Sequence, residues 1–180
     1  ILLLQRALIV TASPAVSPRS AQPLEVVINE IAWSGTISNS NAEWIELKNN
    51  SAITVDLSGW RLYSGDSSPN ITLSGSITPG GFFLLERTAD TTVNDVPADQ
   101  LYTGSLIDGG ESLTLTDEIS TVVDTANGDG GTWPAGTGAP NRYSMERIDS
   151  LAPDIDLNWA TNDGLTRNGH DVGGNPINGT

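Results

Sequence analysis

The sequence predicts an all-β protein, a sandwich of about eight to nine short strands with irregular ends. Runs with alternating apolar and polar side chains recur along the chain, separated by clusters of Gly, Pro, Asn, Asp and Ser. The 19 Gly, 10 Pro and 37% hydrophobic residues fit short strands joined by turns. A length of 180 residues suits one core of ordinary size, so we expect a single domain.

Eight runs carry the strand pattern. In chain order they cover residues 26–33, 43–49, 60–64, 71–73, 82–87, 112–116, 121–125 and 142–148. The run Phe82-Phe83-Leu84-Leu85 has no polar phase, unlike the others. We therefore expect it to be covered on both faces of its sheet.

The second run has two distinct faces. Ile45 and Leu47 share one side of an extended strand, while Trp44, Glu46 and Lys48 share the other. If Ile45 and Leu47 face the core, Trp44 lies either in a second apolar cluster or on a binding face, where an exposed ring stacks on sugars. If this run pairs with the next one, Glu46 can lie near Arg61 or Lys48. Core packing is the expected role of Trp60.

Several runs, in order, resemble lamin tail domains. Val26-Val27-Ile28-Asn29-Glu30-Ile31 is similar to the first strand of the bacterial members, and Glu43-Trp44-Ile45-Glu46-Leu47-Lys48-Asn49-Asn50 followed by Leu57-Ser58-Gly59-Trp60-Arg61-Leu62 looks like a signature of the family. Ile77-Thr78-Pro79-Gly80-Gly81-Phe82-Phe83-Leu84-Leu85 resembles its Pro-Gly turn and buried strand. Gly110-Glu111-Ser112-Leu113-Thr114-Leu115, Val122-Val123-Asp124 and Trp133-Pro134 continue the match. The resemblance covers about residues 24 to 162.

The resemblance implies an immunoglobulin-like sandwich with no active site of its own. In nuclear lamins the domain is a surface for partner proteins and nucleic acid, and in bacteria similar domains accompany secreted or membrane-associated hydrolases as accessory or tethering modules. It also implies a structural role for the residues that match the family motifs. These are Asn29, Glu30, Glu43, Trp44, Glu46, Asn49, Gly59, Trp60, Pro79 and Gly80.

Charge and composition exclude several classes of function. Eight Lys and Arg against 22 Asp and Glu give a net charge of −14, which opposes binding to nucleic acid phosphates. The absence of cysteine rules out disulfides and thiolate metal sites. His170 is the only histidine, so a multi-histidine zinc centre is excluded, and so is a catalytic triad built on a histidine in the body of the domain.

Two kinds of ligand site remain as alternatives. Asp124, Asn127 and Asp129 lie in an Asn- and Gly-rich stretch that could hold calcium, although it lacks the spacing of an EF-hand, and Asn-Gly and Asp-Gly turns explain the same residues. A carbohydrate site would use Trp44. Paired carboxylates for glycoside hydrolysis have candidates by residue type only, namely Glu30, Glu43, Glu46, Glu86 and Glu111. We expect no enzyme activity and no obligatory cofactor.

The two ends differ from the body. Residues 1–23 are apolar and then Ser- and Pro-rich, as in the remnant of a signal peptide or in a linker, and are too short in apolar length to span a membrane. Residues 24–162 form the predicted sandwich, with Trp159 packed on it, and residues 163–180 form an irregular Asn- and Gly-rich tail. We expect a secreted or surface module, of bacterial type, that binds a protein or a surface polymer. The sequence does not determine the oligomeric state.

Overall fold

A computed structural model describes residues 20–162 and 169–177. Residues 1–19 of the predicted leader lie outside these ranges. Residues 163–168 and 178–180 of the predicted tail also lie outside them. The large sheet contains β1 (Val26–Ala32), β2 (Trp44–Asn49), β7 (Phe82–Arg87), β8 (Gln100–Tyr102), β11 (Met145–Arg147) and β12 (Trp159–Thr161). A four-stranded sheet contains β4 (Arg61–Ser64), β5 (Asn70–Thr72), β9 (Leu113–Thr116) and β10 (Val122–Ala126), and β3 (Val55–Asp56) pairs with β6 (Ser76–Ile77).

The large sheet has the order β12-β11-β1-β2-β7-β8, and the four-stranded sheet has the order β10-β9-β4-β5. All pairs are antiparallel except β7 with β8. The prediction of an all-β sandwich is confirmed. Each of the eight predicted runs overlaps a strand. The strands β3, β6, β8 and β12 were not predicted, because segments of two or three residues show no periodicity.

The core lies between the two larger sheets. Ile45 and Leu47 are fully buried there, as the alternation in β2 predicts. Trp60 and Trp159 join the same core and are 3% and 5% exposed, which confirms their predicted packing roles. A short 3-10 helix, Asp156–Asn158, leads directly into β12 and so places Trp159 against the sheet.

The prediction for the apolar run in β7 is wrong at its first residue. Phe83 and Leu85 are buried, but Phe82 is 47% exposed and Leu84 is half-buried. Phe82 pairs with Lys48 on β2, and the Lys48 ammonium lies 5.5 Å from its ring centroid. The outer face of the sheet is therefore covered over Leu84 and open at Phe82, because the segments that cover it reach only part of its length.

The described part of the tail, residues 169–177, packs against the sandwich. Ile177 is buried beside Trp44, and the Asp171 carboxylate accepts hydrogen bonds from the backbone of Ser38, Gly173 and Asn175. The only regular pairing in this segment is the bridge between residues 170 and 176. Within the described ranges, no helix has the length and apolar character needed to cross a bilayer.

Candidate functional site

A β-bulge in β1 gives the outer face of the large sheet its distinctive residues. The register between β1 and β2 shifts between Ile28 and Glu30. Ile28 and Ile31 both pack in the core, so the bulge turns the two residues between them, Asn29 and Glu30, toward the outer face. In a regular strand these neighbours would point to opposite faces.

The bulge aligns three carboxylates on adjacent strands. Glu30 on β1 lies opposite Glu46 on β2 and, on its other side, opposite Glu146 on β11. Asn29 Nδ2 donates to Glu46 Oε1 at 2.8 Å. We refer to Glu46, Glu30 and Glu146 as the carboxylate row.

Polar side chains from neighbouring segments hold the other two members of the row. Ser144 Oγ donates to Glu30 Oε1, and Asn162 Nδ2 donates to Glu146 Oε2 at 3.0 Å. Glu30 is fully buried and Glu146 is partly buried. The row is thus built into the sheet and is not a chance cluster of mobile surface acids.

The environment of the row raises the pKa of Glu46 to about 7. Burial is the largest cause and Glu146 adds to it, while the hydrogen bond from Asn29 and the charge of Lys48 act in the opposite direction. Like charges facing each other across strands are destabilising, so a proton on Glu46 relieves the row near neutral pH. Of the two predicted neighbours of Glu46, Lys48 interacts with it through its charge, whereas Arg61 lies in the other sheet and donates to Asn70.

An apolar cleft of about 220 Å³ adjoins the row on the same face, lined in part by Trp44, Phe82, Leu84 and Val96. Trp44 itself is only 4% exposed and packs in a second cluster with Ala32, Val93, Leu84 and Ile177. A ring buried to this degree presents no open face to a sugar. Of the two alternatives for Trp44, burial favours the second apolar cluster over a stacking platform.

Glu43 directly precedes β2 and binds a loop and Arg87. Its Oε2 accepts the backbone N–H of Leu106 at 2.7 Å, and its Oε1 pairs with Arg87 Nη1 at 2.7 Å. Burial still raises the pKa of Glu43 to about 7, because the backbone N–H and the Arg87 charge only partly offset the loss of solvation. Glu43 therefore fastens a loop to the end of β2.

Asn49 organises the turn that the Pro-Gly pair predicts. Its Nδ2 donates to the carbonyl oxygens of Ile53, Ile77 and Thr78, and its own carbonyl accepts the N–H of Gly80 at 3.0 Å. Gly80 has φ of 68°, in the left-handed region that the residue after proline adopts in a type II turn. These contacts agree with a structural role for Asn49 and the turn.

Gly59 has a similar conformational requirement, with φ of 83° immediately before Trp60. A residue with a side chain would be strained in this backbone conformation. Gly59 thus allows the chain to turn sharply and place Trp60 in the core.

The side chains of the predicted calcium residues Asp124 and Asn127 have other partners. The Asp124 carboxylate pairs with Arg147 Nη2 at 2.7 Å and accepts the N–H of Ile28 at 2.8 Å. Asn127 uses its amide to donate to the carbonyl oxygens of Glu111 and Gly131, and Asp129 is exposed. Among the described residues no three Asp, Glu or His side chains form a group able to hold a metal ion.

The turn alternative accounts for the Asn- and Gly-rich stretch in another way. The N–H of Gly130 donates to the Asn127 carbonyl at 2.9 Å, and Asn127 has φ of 51°. Asn adopts this left-handed conformation more readily than other residues with a side chain. Asn127 and Gly130, two of the predicted turn residues, thus adopt positive φ as a turn requires.

The ion pair of Asp124 and Arg147 connects the two larger sheets, and sequence reasoning did not find it. Both side chains are at most 2% exposed. Arg147 also donates to the Ile28 carbonyl and lies over the Trp159 ring, 4.8 Å from its centroid. Burial raises the pKa of Asp124 to about 6 in spite of the Arg147 charge. No sequence pattern marks a pair 23 residues apart on different sheets.

The remaining candidate carboxylates bind backbone amides. Glu86 accepts the N–H groups of Thr92 and Val93, and Glu111 Oε1 accepts the N–H of Ile107 at 2.7 Å. Each of these two glutamates holds the backbone of an irregular segment in place. The structure brings Glu30 and Glu46 together through the bulge, whereas the bonds of Glu86 and Glu111 are made to separate loops.

The family comparison agrees with this geometry. The Lamin Tail Domain model matches residues 19–128, which is more than half of the chain and includes the strands from β1 to β10. The predicted match at Trp133-Pro134 lies beyond this range. A search of curated proteins found no match. The chain belongs to the lamin tail domain family.

Proposed function

We propose that this protein is a non-catalytic extracellular module that tethers a larger secreted or surface protein, of bacterial origin, to a protein or a surface polymer. Its family makes it an immunoglobulin-like interaction module. The extracellular location, the accessory role and the lack of catalysis belong to the proposal.

One observation carries the proposal: three of the five candidate carboxylates, Glu43, Glu86 and Glu111, are engaged in fastening loops. Glu43 binds the backbone of Leu106, Glu86 binds Thr92 and Val93, and Glu111 binds Ile107. Charge-assisted hydrogen bonds of this kind stabilise an irregular backbone. They favour a rigid scaffold that presents loops to a partner.

The net charge of −14 narrows the class of partner. An acidic surface repels nucleic acid phosphates, so we expect a protein or a neutral or basic polymer as the partner. We propose no separate calcium or carbohydrate site, because Asp124 is paired with Arg147 and Trp44 is buried.

A retention assay tests this function. The full chain is fused to a fluorescent protein, and its retention on intact bacterial cells and isolated envelopes is compared with that of the fluorescent protein alone. We expect the fusion to be retained. Loss of retention after protease treatment of the cells would identify a protein partner, and retention that survives it would identify a polymer.

Two results would contradict the proposal. One is a fusion that washes off as readily as the fluorescent protein alone. The other is hydrolysis of a polysaccharide, nucleotide or phosphate ester by the purified chain that disappears in a Glu30→Gln or Glu46→Gln variant that remains folded. The second result is the sharper test, because Glu30 and Glu46 face each other in the carboxylate row.

A further inference from the structure

The loop between β11 and β12, residues 148–157, displays an unusual number of exposed aliphatic side chains. Ile148, Leu151, Ile155 and Leu157 are 65%, 69%, 56% and 87% exposed. Scattered apolar residues are normal on a protein surface, but four in ten residues of one loop are a concentration of the kind found at binding sites. We call residues 148–157 the display loop.

The display loop is held rigidly from within. Asn158, which is buried, donates its Nδ2 to the carbonyl oxygens of Asp149, Ala152 and Pro153, and its Oδ1 accepts the N–H of Asp149 at 2.9 Å. Arg147 Nη1 donates to the Ala152 carbonyl at 3.0 Å. The polar anchors of the loop therefore point inward and the aliphatic side chains point outward.

Asp154 attaches the other half of the loop to the four-stranded sheet. Its carboxylate accepts hydrogen bonds from Thr125 Oγ1, the N–H groups of Asn127 and Gly128, and Trp159 Nε1, at 2.8 to 3.2 Å. A loop fixed before binding loses little conformational entropy when a partner docks. This anchoring is what a preformed docking surface requires.

A groove of about 530 Å³ lies beside the display loop. Its apolar lining includes Pro23, Leu24, Ile53 and Leu151. Asn50 ties the walls together, because its Nδ2 donates to the carbonyl oxygens of Leu24 and Ser150. Leu151 lines the groove and is also one of the exposed aliphatic side chains of the display loop, so the groove and the loop adjoin each other.

The charges around this surface indicate the chemistry of its partner. The display loop contains three aspartates and no Lys or Arg, and Asp149 and Asp156 are exposed among the aliphatic residues. Glu25 lines the groove. A second copy of this chain or an anionic membrane would place negative charge against negative charge, whereas a basic partner is attracted.

We propose that the display loop and its groove dock a basic amphipathic segment of a partner protein, in which apolar residues are flanked by Lys or Arg. The inference rests on the proposed interaction function and specifies the partner class and the surface that binds it. Aliphatic side chains of the segment fill the groove and cover Leu151 and Leu157, while its cations face Asp149 and Asp156.

The test uses the full chain and a synthetic peptide of leucine and lysine at helical spacing, titrated by calorimetry at physiological ionic strength. A variant with Leu151→Asn and Leu157→Asn should bind this peptide about tenfold or more weakly than the wild type. A matched control with Ile119→Asn and Val172→Asn, both exposed elsewhere, should bind it as the wild type does. Asp156→Lys should weaken binding several-fold and leave the thermal midpoint unchanged.

Several outcomes would overturn the inference. Equal binding by both double variants would mean that only the overall charge attracts the peptide, and equal binding of a leucine–glutamate peptide would remove the charge argument. Dimerisation in sedimentation experiments that the Leu151→Asn, Leu157→Asn variant abolishes would make a second copy the occupant. Flotation of the chain with phosphatidylcholine vesicles, lost in the same variant, would make it a membrane.

The retention assay separates this inference from the proposed function. If the fusion carrying Leu151→Asn and Leu157→Asn is retained on cells as well as the wild type is, the docking inference fails and the tethering function stands. If the peptide binds as expected but no fusion is retained, the tethering function fails and the docking surface stands.

Discussion

The two faces of the large sheet are held together by different means. The inner face packs apolar side chains such as Ile45 and Leu47 against the four-stranded sheet, and its buried ion pair of Arg147 and Asp124 joins the sheets. The outer face carries the carboxylate row, and its apolar cluster around Trp44 is covered by irregular segments such as the one that contains Ile177.

The contrast shows that alternation along a strand does not by itself separate a dry face from a wet one. Trp44 and Glu46 are neighbours on the outer side of β2. Trp44 is buried beside Val93 and Ile177, whereas Glu46 carries a carboxyl group whose pKa is raised by burial and by the charge of Glu146. We expect the apolar inner face to contribute most of the stability, and the raised pKa values of Glu46 on the outer face and of Asp124 between the sheets to make that stability depend on pH.

The largest expected effect is on the inner face. Arg147→Ala leaves the Asp124 carboxylate buried without its partner and should lower the free energy of unfolding by about 3 to 5 kcal/mol. Urea unfolding measures this loss. The loss should be smaller at pH 5 than at pH 8, because Asp124 can then take up a proton. Arg61→Ala is the control, since Arg61 is exposed and its bond to Asn70 lies at the surface. An equal loss in both variants would contradict the comparison.

The next effect tests whether the outer face is truly packed. Trp44→Ala removes the centre of the second cluster and should lower the free energy of unfolding by about 3 kcal/mol, because a large cavity remains under the covering segments. Thermal unfolding of this variant is compared with that of Leu101→Ala, whose side chain is 46% exposed. A change below about 1 kcal/mol for Trp44→Ala would mean that the covering segments do not pack as described.

A smaller and pH-dependent effect should appear in the carboxylate row. The folded-state pKa of Glu46, about 7, lies above the ordinary value of 4.5, so its ionisation destabilises the fold as the pH rises between these values. Glu46→Gln keeps an acceptor for Asn29 and removes the charge. It should raise stability by about 1 to 2 kcal/mol at pH 8 and have little effect at pH 4, a gain reduced because Glu46 is partly solvated.

Unfolding curves across this pH range provide the measurement for Glu46→Gln. Glu118→Gln, at an exposed position, should show no such dependence. A Glu46→Gln variant whose stability follows that of the wild type at every pH would show that the row does not raise the pKa of Glu46.

The smallest effect is expected at the uncovered end of the outer face. Phe82→Ser should change the free energy of unfolding by less than about 1 kcal/mol, since the ring is half-exposed and loses mainly its contact with the Lys48 ammonium. Phe83→Ser, at the next residue, should lower it by more than about 3 kcal/mol, because Phe83 is 2% exposed. Similar losses at both positions would mean that the two faces are equally covered.

Much of the fold could be predicted because its signals are local. The alternation around Ile45 and Leu47 identifies the inner face of β2, and the Pro79-Gly80 turn follows from the residues it contains. The structural role of Glu43 and Asn49 followed from the family resemblance. Their partners, the Leu106 amide and the Ile53, Ile77 and Thr78 carbonyl groups, could not be predicted, because they lie in other loops.

The candidate site was less predictable for the same reason. Glu30 and Glu46 were visible only as acidic residues in two strands, and their meeting depends on the bulge at Asn29. The sequence predicts Asp124 as a calcium ligand, but in the structure Asp124 pairs with Arg147, which lies in a strand of the other sheet. The exposed aliphatic side chains of the display loop could not be predicted, because the Asp, Asn and Pro residues of this segment indicate only turns.

The amino-acid sequence by itself determined the all-β class, the principal strands, the turn positions and the acidic charge. Each of these depends on backbone conformations and side-chain properties within a few residues. The tertiary structure decided which carboxylates meet, that Arg147 pairs with Asp124, that the segment containing Ile177 covers Trp44, and that Leu151 and Leu157 remain exposed. Those outcomes depend on strand register and on how the sheets and loops stack, which residues distant in the chain determine jointly.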